Sequence, residues 1–169
     1  MRLATTILAI CVAAGPALAV PSTCTRDADR TAFDTAALKS ELMVTALVCK
    51  QQDSYNAFIH TYQPAVVGEE KDLAAYFKRA YGRQYQKAYD DYISNLANVQ
   101  SDEGLKMGTA FCETYTTMFD EVLSLHSATE LADYAHSKAL VQPVSFQTCA
   151  EMPAKPGRSH GKSKKKRTA

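Results

Sequence analysis

The chain has 169 residues, of which 46% are hydrophobic and 22% are charged, and this suits one globular domain with its own core. Its net charge of +1 is the sum of two opposed regions. Residues 20–152 carry eleven Lys and Arg against eighteen Asp and Glu, whereas residues 153–169 carry seven Lys and Arg and no acid. An acidic body with a basic tail excludes a uniformly basic domain of the kind that binds nucleic acid.

Residues 1–19 have the pattern of a signal peptide. Arg2 precedes an apolar stretch over residues 3–14, and the final Ala-Leu-Ala supplies the small residues that a signal peptidase needs. A transmembrane anchor is the alternative, but the apolar stretch is too short to span a bilayer. The sequence therefore predicts cleavage after Ala19 and a periplasmic or secreted protein.

Loss of the signal removes Cys11 and leaves four cysteines, which are Cys24, Cys49, Cys112 and Cys149. None of them has CxxC or CxxCH spacing. In an oxidising compartment this set predicts two disulfides rather than a zinc, redox or haem site.

The longest apolar run of the mature chain is residues 42–49, in which only Thr45 is polar. Good helix formers precede it, and no Gly or Pro lies between Pro21 and Pro64, so we expect one helix over residues 31–62 that ends before Pro64. Because the run is apolar on all sides for two turns, it predicts the central helix of a bundle.

Three further helices follow from charge and capping patterns. Residues 69–99 begin with three acids and carry an aromatic face. A third helix is expected from Ser101 to about Val122, with Gly108 allowing close approach of a neighbour. A fourth is expected from Ser127 to Leu140, opened by the capping box Ser127-Ala128-Thr129-Glu130. The short loops predict an all-α, up-down bundle of about four helices over residues 20–152, with residues 153–169 disordered.

The helix order bears on the disulfides. Cys49 lies mid-height on helix one and Cys112 lies on helix three, which runs parallel to it, while Cys24 and Cys149 fall outside the helices near one end. We expect the pairing Cys49–Cys112 with Cys24–Cys149, and the two other pairings remain open.

Tyrosines crowd the predicted second helix. Tyr81, Tyr85, Tyr89 and Tyr92 lie on one face and are the candidate lining of a slot for an aromatic or sugar-like ligand, with the hydroxyls fixing its orientation. The alternative is that the rings fill the core and the hydroxyls reach its rim.

The sequence predicts no metal centre, cofactor or catalytic activity. His126, Glu130, Asp133 and His136 have helical spacing suited to a transition metal, but no second helix supplies a matching motif. HExxH, GxSxG and glycine-rich phosphate loops are all missing from the sequence.

The basic tail is the second candidate for a binding region. In an exported protein its partners would be phospholipid head groups, lipopolysaccharide phosphates or wall polymers, and nucleic acid is an unlikely partner. The alternative is a tail that only adds solubility. The residues expected to contact an anionic surface are Lys162, Lys164, Lys165, Lys166 and Arg167.

Short motifs between residues 36 and 125 resemble a group of small exported bacterial all-helical proteins that carry no assigned function. The motifs are Tyr55-Asn56-Ala57-Phe58, Tyr76-Phe77, Ala80-Tyr81-Gly82-Arg83 and Asp90-Asp91-Tyr92. The resemblance implies export and an all-helical fold and brings no catalytic residues, and the Lys-rich tail departs from it.

Three functions remain after these exclusions. The first is a non-catalytic helical interaction domain of the cell envelope, whose tail contacts an anionic surface or whose body binds an envelope protein. The second is a small-ligand carrier that uses the tyrosine face. The third is an envelope chaperone, which would expose a large apolar patch.

Overall fold

The computed structural model describes residues 25–144, and these residues form an all-α bundle, as predicted. Residues 1–19, Cys24, Cys149, the extended segment expected up to Cys149 and the basic tail lie outside the described residues. Between residues 25 and 144, no helix combines the length and apolarity needed to cross a membrane. The six helices are α1 (Asp27–Cys49), α2 (Gln52–Tyr81), α3 (Tyr85–Met107), α4 (Ala110–Tyr115), α5 (Thr117–Leu123) and α6 (Ala128–Ser137), with a 3-10 turn (Gly82–Gln84) after α2.

The predicted helix over residues 31–62 is wrong, because the chain reverses at Lys50. Lys50 has the left-handed backbone conformation, with φ of 59°, and its N–H donates to the carbonyl of Ala46. The N–H of Gln51 donates to the same carbonyl at 3.0 Å. This is a Schellman-type helix end, here formed by lysine in place of the usual glycine.

Pro64 was expected to end a helix, but it lies inside α2. Proline removes one backbone hydrogen bond and crowds the preceding turn, which costs about 3 kcal/mol in a helix interior. Tyr62 and Val66 on either side of it are buried against the core, while Pro64 itself is exposed. Burial of the flanking side chains therefore outweighs the local cost.

Glycines end the next two helices. Gly82 and Gly108 both have positive φ, 54° and 58°, and they cap α2 and α3. The predicted helix over residues 69–99 and the predicted start at Ser101 are therefore wrong. Gly108 does not admit a neighbouring helix, since a Cβ there would meet nothing within 4 Å. Leu105, in the last turn of α3, is 80% exposed.

The capping motif before α6 is confirmed. The hydroxyl oxygen of Ser127 accepts from the N–H of Glu130 at 3.1 Å, and the Glu130 carboxylate accepts from the N–H of His126 at 2.8 Å. Two otherwise unpaired N–H groups are satisfied, so α6 begins where the sequence predicted.

The up-down order is visible in the contacts of α1. Later residues of α1 meet earlier residues of α2, so these two helices are antiparallel, whereas α3 runs parallel to α1. The helix α6 returns against α1, with His136 near its end 2.9 Å from Asp34. The pairs that establish the first two directions are Asp29 with Arg79, Phe33 with Phe77 and Lys39 with Glu70 for α2, and Phe33 with Tyr92 and Ala37 with Gln100 for α3.

The disulfide Cys49–Cys112 is confirmed, with Cα atoms 5.5 Å apart and a sequence separation of 63. It joins the end of α1 to α4, directly after α3. The second predicted disulfide involves Cys24 and Cys149 and lies outside the described residues.

The core has two parts. One joins α1, α2, α5 and α6 around Leu42, Phe58 and Val122, and the other joins α1, α2 and α3 around Phe33 and Phe77. The run 42–49 was predicted to be buried on all sides at the centre of the bundle, but only part of it is buried. Its buried residues are Leu42, Val44, Thr45 and Ala46, whereas Met43, Leu47 and Val48 are 36%, 66% and 60% exposed.

Candidate functional site

A groove of about 460 Å³ lies between α1, α2 and α3. Helix α1 forms its floor, and α2 and α3 form its walls. This volume is within the usual range for small-molecule sites. The apolar side chains that line it are Ala36 and Met43 on the floor, Val66 and Leu73 on α2, and Ile93, Leu96 and Ala97 on α3.

The two walls of the groove are in close contact near one end. Beside the Gly82 turn, Phe77 of α2 packs against the rings of Tyr89 and Tyr92 of α3, with centroid distances of 5.7 and 5.6 Å. Farther from the turn, the cavity separates the walls, and residues of both helices line it. The turn closes one end and the space above α1 stays open.

The apolar floor continues past the cavity. Leu47 lies one helical turn beyond Met43 on α1 and is 66% exposed.

Charged groups surround the groove unevenly. Lys39 on the floor forms an ion pair with Glu70 on α2. Burial alone lowers the pKa of Lys39, but the hydrogen bond and the charge of Glu70 outweigh it and leave the pKa raised. Glu69 and Asp90 add two acids, so the four charges sum to about −2 at neutral pH.

Glu69 and Asp90 both lack an ion-pair partner among residues 25–144, and Glu69 is the half-buried one of the two. Within residues 25–144, no Lys, Arg or His lies at ion-pair distance from its carboxylate. Burial raises the pKa of Glu69, and the nearby charge of Asp72 raises it further. A cation stabilises a half-buried carboxylate beside an apolar groove, because the attraction between the two charges offsets the cost of desolvating the carboxylate.

The four predicted ligand tyrosines do not share one pocket. Only Tyr89 lines the groove. Tyr92 is buried against Phe33, and its hydroxyl donates to Gln142 at 3.1 Å. Tyr81 stacks on Phe77, and Tyr85 lies beneath the ammonium of Lys78.

The rings of Tyr81, Tyr89 and Tyr92 therefore all pack on Phe77. They belong to the aromatic packing between α2 and α3, and Gly82 brings them together from two helices instead of one continuous helical face.

The two histidines at and before α6 have structural contacts, through the backbone for His126 and through the ring for His136. His126 donates its backbone N–H to Glu130, and His136 lies 2.9 Å from Asp34. Among residues 25–144, no group of three or more His, Cys, Asp or Glu is placed to hold a metal ion. The predicted surface-binding residues Lys162, Lys164, Lys165, Lys166 and Arg167 lie outside the described part of the chain.

Several groove residues were missed by sequence reasoning, chiefly Lys39, Glu69, Asp90 and Ile93. A weak signal was present on α1, where Ala36, Lys39, Ser40 and Met43 recur at the spacing of one helical face and mix polar with small apolar side chains. No protein-family model, curated protein or solved structure matches this chain.

Proposed function

We propose that the protein is a non-catalytic binding module of the cell envelope, and that its groove takes a small ligand with an apolar body and a cationic group. The observation that carries this proposal is Glu69, a half-buried carboxylate that lies at the edge of an apolar groove and has no cationic partner within residues 25–144. An apolar chain would cover Met43, Ile93 and Ala97, and its cation would lie against Glu69.

The charge balance favours a cation over an anion. Lys39 is already neutralised by Glu70, so an anionic ligand would find no free positive charge on the floor and would face Glu69 and Asp90. Buried ionic groups without a partner are costly, and this cost selects against the wrong ligand.

An envelope location is part of the proposal. The signal pattern of residues 1–19 supports export, and the disulfide Cys49–Cys112 is typical of an oxidising compartment. The carrier function expected from the sequence is retained here, with the groove in place of the tyrosine face.

The test compares three amphiphiles with the same decyl chain: decyltrimethylammonium, decyl sulfate and decyl maltoside. Each is titrated below its micelle concentration, and amide chemical shifts and calorimetry report binding. We expect decyltrimethylammonium to bind at least about tenfold more tightly than decyl sulfate, a difference of about 1.4 kcal/mol. Equal binding of all three, or shifts away from the groove, would contradict the proposal.

Two matched pairs of variants locate the site. Ala97→Trp fills the groove and should abolish binding, whereas Asn98→Trp places the same ring on the exposed neighbouring position and should not. Glu69→Gln should remove the preference for the cation, whereas Asp91→Asn, which alters an exposed acid paired with Lys87, should keep it.

The basic tail supports a second function, adhesion to an anionic surface. The carrying observation is the charge segregation, with seven Lys and Arg and no acid in residues 153–169. Each cation near an anionic membrane contributes about 1 kcal/mol, screened by salt. Deletion of residues 153–169 should abolish salt-sensitive binding to phosphatidylglycerol vesicles, and unchanged binding would refute this function without bearing on the groove.

A further inference from the structure

Glu41 is a buried carboxylic acid on the side of α1 that faces away from the groove. It is 2% exposed, and its Oε1 atom has no hydrogen-bond partner among the described residues. Glu41, Thr45 and Cys49 recur every four residues, so they lie along one line of α1. Because Cys49 is bonded to Cys112, this line faces the segment formed by α3 and α4. We call this contact the α1–α3 seam.

Two further buried oxygen atoms in the seam lack partners. Gln100 donates through Nε2 to the carbonyl of Ala37 at 3.0 Å and to that of Val141 at 3.4 Å, but its Oε1 is unpaired. Thr45 Oγ1, one turn beyond Glu41, is also unpaired, and both residues are 0% exposed. The hydrogen bond to Ala37 places Gln100 one turn before Glu41, so polar atoms follow one another along the seam.

When Glu41 is ionised, the hydroxyl of Thr45 supplies the one O–H among these oxygens, and the others can only accept. Gln100 Oε1 can only accept, whereas a protonated Glu41 has one O–H to donate. Ionised Glu41 would leave an unpaired charge among buried acceptors, which is the costliest state for a polar group in a core.

The charged and titratable groups near Glu41 do not compensate it. From α3, Glu103 faces it with a like charge and is paired with Lys106 at 3.3 Å. From α4, Tyr115 faces it, and burial first, then Glu41 and Glu103, raise the pKa of Tyr115. Asp34 lies two turns earlier on α1.

Asp34 has partners of its own, since Arg30, His136 and Gln142 bind its carboxylate. Among residues 25–144, no cation lies at ion-pair distance from Glu41. Burial, and secondarily the charge of Glu103, raise the pKa of Glu41 to about 7.

We infer that Glu41 is a proton switch in the α1–α3 seam: its protonated form keeps α3 and α4 packed on α1, and loss of that proton to solvent loosens them. The disulfide sets the limit of the motion, because Cys49–Cys112 holds the far end of the seam in both states. Gly108 lies between α3 and α4 with φ of 58° and open space around its Cα, so the backbone can bend there.

The switch does not depend on what the groove binds. It needs only that Glu41 releases its proton within the folded, disulfide-bonded chain. Failure of ligand binding and failure of the switch are therefore separate results.

An NMR titration from pH 5 to 8.5 tests the switch directly. Amides at Glu41, Gln100, Glu103 and Cys112 should shift together with one midpoint near pH 7. Protection factors of α3 amides, corrected for the intrinsic pH dependence of exchange, should fall at least about tenfold across the same range. Those of α2 should change little.

Variants assign the proton. Glu41→Gln keeps the shape and a donor but cannot ionise, so it should remove both the shift and the loss of protection. Glu103→Gln should move the midpoint to lower pH, since it removes the like charge. His136→Gln, which changes the partner of Asp34 and leaves Glu41 untouched, is the control and should leave the midpoint unchanged. A pH response that persists in Glu41→Gln, or α3 protection that is flat in the wild type, would overturn the inference.

Discussion

The two halves of α1 are built differently. In residues 27–38 the buried charge and the largest ring have complementary partners: Asp29 binds Arg26 and Arg79, and Phe33 packs among aromatic rings of α2 and α3. The buried hydroxyl of Thr35 is the exception, with no hydrogen-bond partner among the described residues. Residues 39–49 have one well-packed face, around Leu42 and Ala46, a buried polar face and an exposed apolar face.

The difference separates a scaffold from the parts that can respond. In the first half, burial alone raises the pKa of Asp29, but its hydrogen bonds to Arg26 and Arg79 outweigh this and leave the pKa lowered, so the buried charge is compensated. In the second half, Glu41 has no such partner. Low local stability is typical of regions that move or bind. Part of the groove floor, at Lys39 and Met43, and the proposed proton switch at Glu41 both lie in the second half.

The largest expected effect comes from the first half. Phe33 is 1% exposed and contacts Tyr76 and Tyr92 at centroid distances of 4.9 and 5.0 Å. Phe33→Ala should lower the free energy of unfolding by about 3 to 5 kcal/mol. Leu47→Ala, on the exposed face of the second half, should change it by less than about 0.5 kcal/mol. Equal losses in urea unfolding would remove the distinction between the halves.

The disulfide is the next largest contribution and belongs to the second half. Replacing Cys49 and Cys112 together with Ala should cost about 4 kcal/mol, because a loop of 63 residues is no longer closed in the unfolded chain. Hydrogen exchange of the double variant should show most loss of protection in α3 and α4. Uniform loss across α1 and α2 would instead mean that the seam is not a separate unit.

An intermediate effect, of opposite sign, is expected at Thr45. Its hydroxyl is fully buried without a partner, so Thr45→Val should stabilise the protein by about 1 kcal/mol. Thr31→Val is the matched control in the first half, where the hydroxyl donates to the carbonyl of Asp27 at 3.1 Å. Thermal unfolding of both variants measures the difference, and a gain at Thr31 as large as at Thr45 would count against it.

The smallest effect compares glycines of the two groove walls. Gly68 in α2 has open space around it, so Gly68→Ala should stabilise by about 0.5 to 1 kcal/mol through helix propensity. At Gly104 in α3, a Cβ would lie 3.2 Å from the ring of Phe111, and the same substitution should gain nothing. Chemical unfolding distinguishes the two, and equal gains would show that Phe111 yields easily.

The all-α class, the capping of α6 and the Cys49–Cys112 pair could be predicted, because helix propensity, capping and helix order are written locally in the sequence. The helix breaks could not all be predicted. Glycine is the usual residue at a helix end, so Gly82 and Gly108 are breaks that the sequence indicates, although the predicted helices run through or past them. Lysine is not typical of a helix end, so nothing in the sequence indicates the break at Lys50. Pro64 gave a false signal because tertiary packing outweighs its local cost.

The groove could not be predicted because it depends on those breaks. Glu69, Lys39 and Ile93 belong to three helices, and only the reversals at Lys50 and Gly82 bring them together. The burial of Glu41 has the same origin. In the sequence, Glu41 is a single charge beside an apolar run. Whether it has a cationic partner depends on the residues of α3 that face it, and the sequence of α1 alone does not indicate them.

The pH dependence of stability tests most directly whether Glu41, in the second half of α1, holds a proton in the folded protein that the unfolded chain does not hold. Glu41 has a folded pKa of about 7, against 4.5 as its ordinary value, so the folded protein holds one more proton than the unfolded chain between these values. The stabilisation is fully present below pH 4.5 and is lost as the pH rises to 7, by at most about 1.4 kcal/mol per pH unit.

The measurement is the urea unfolding free energy of the wild type minus that of Glu41→Gln at each pH. This difference should fall steadily between pH 5 and 7 and become constant above about pH 7.5. A difference that is independent of pH would show that Glu41 is ionised and compensated in the folded protein, and would contradict the distinction drawn between the two halves of α1.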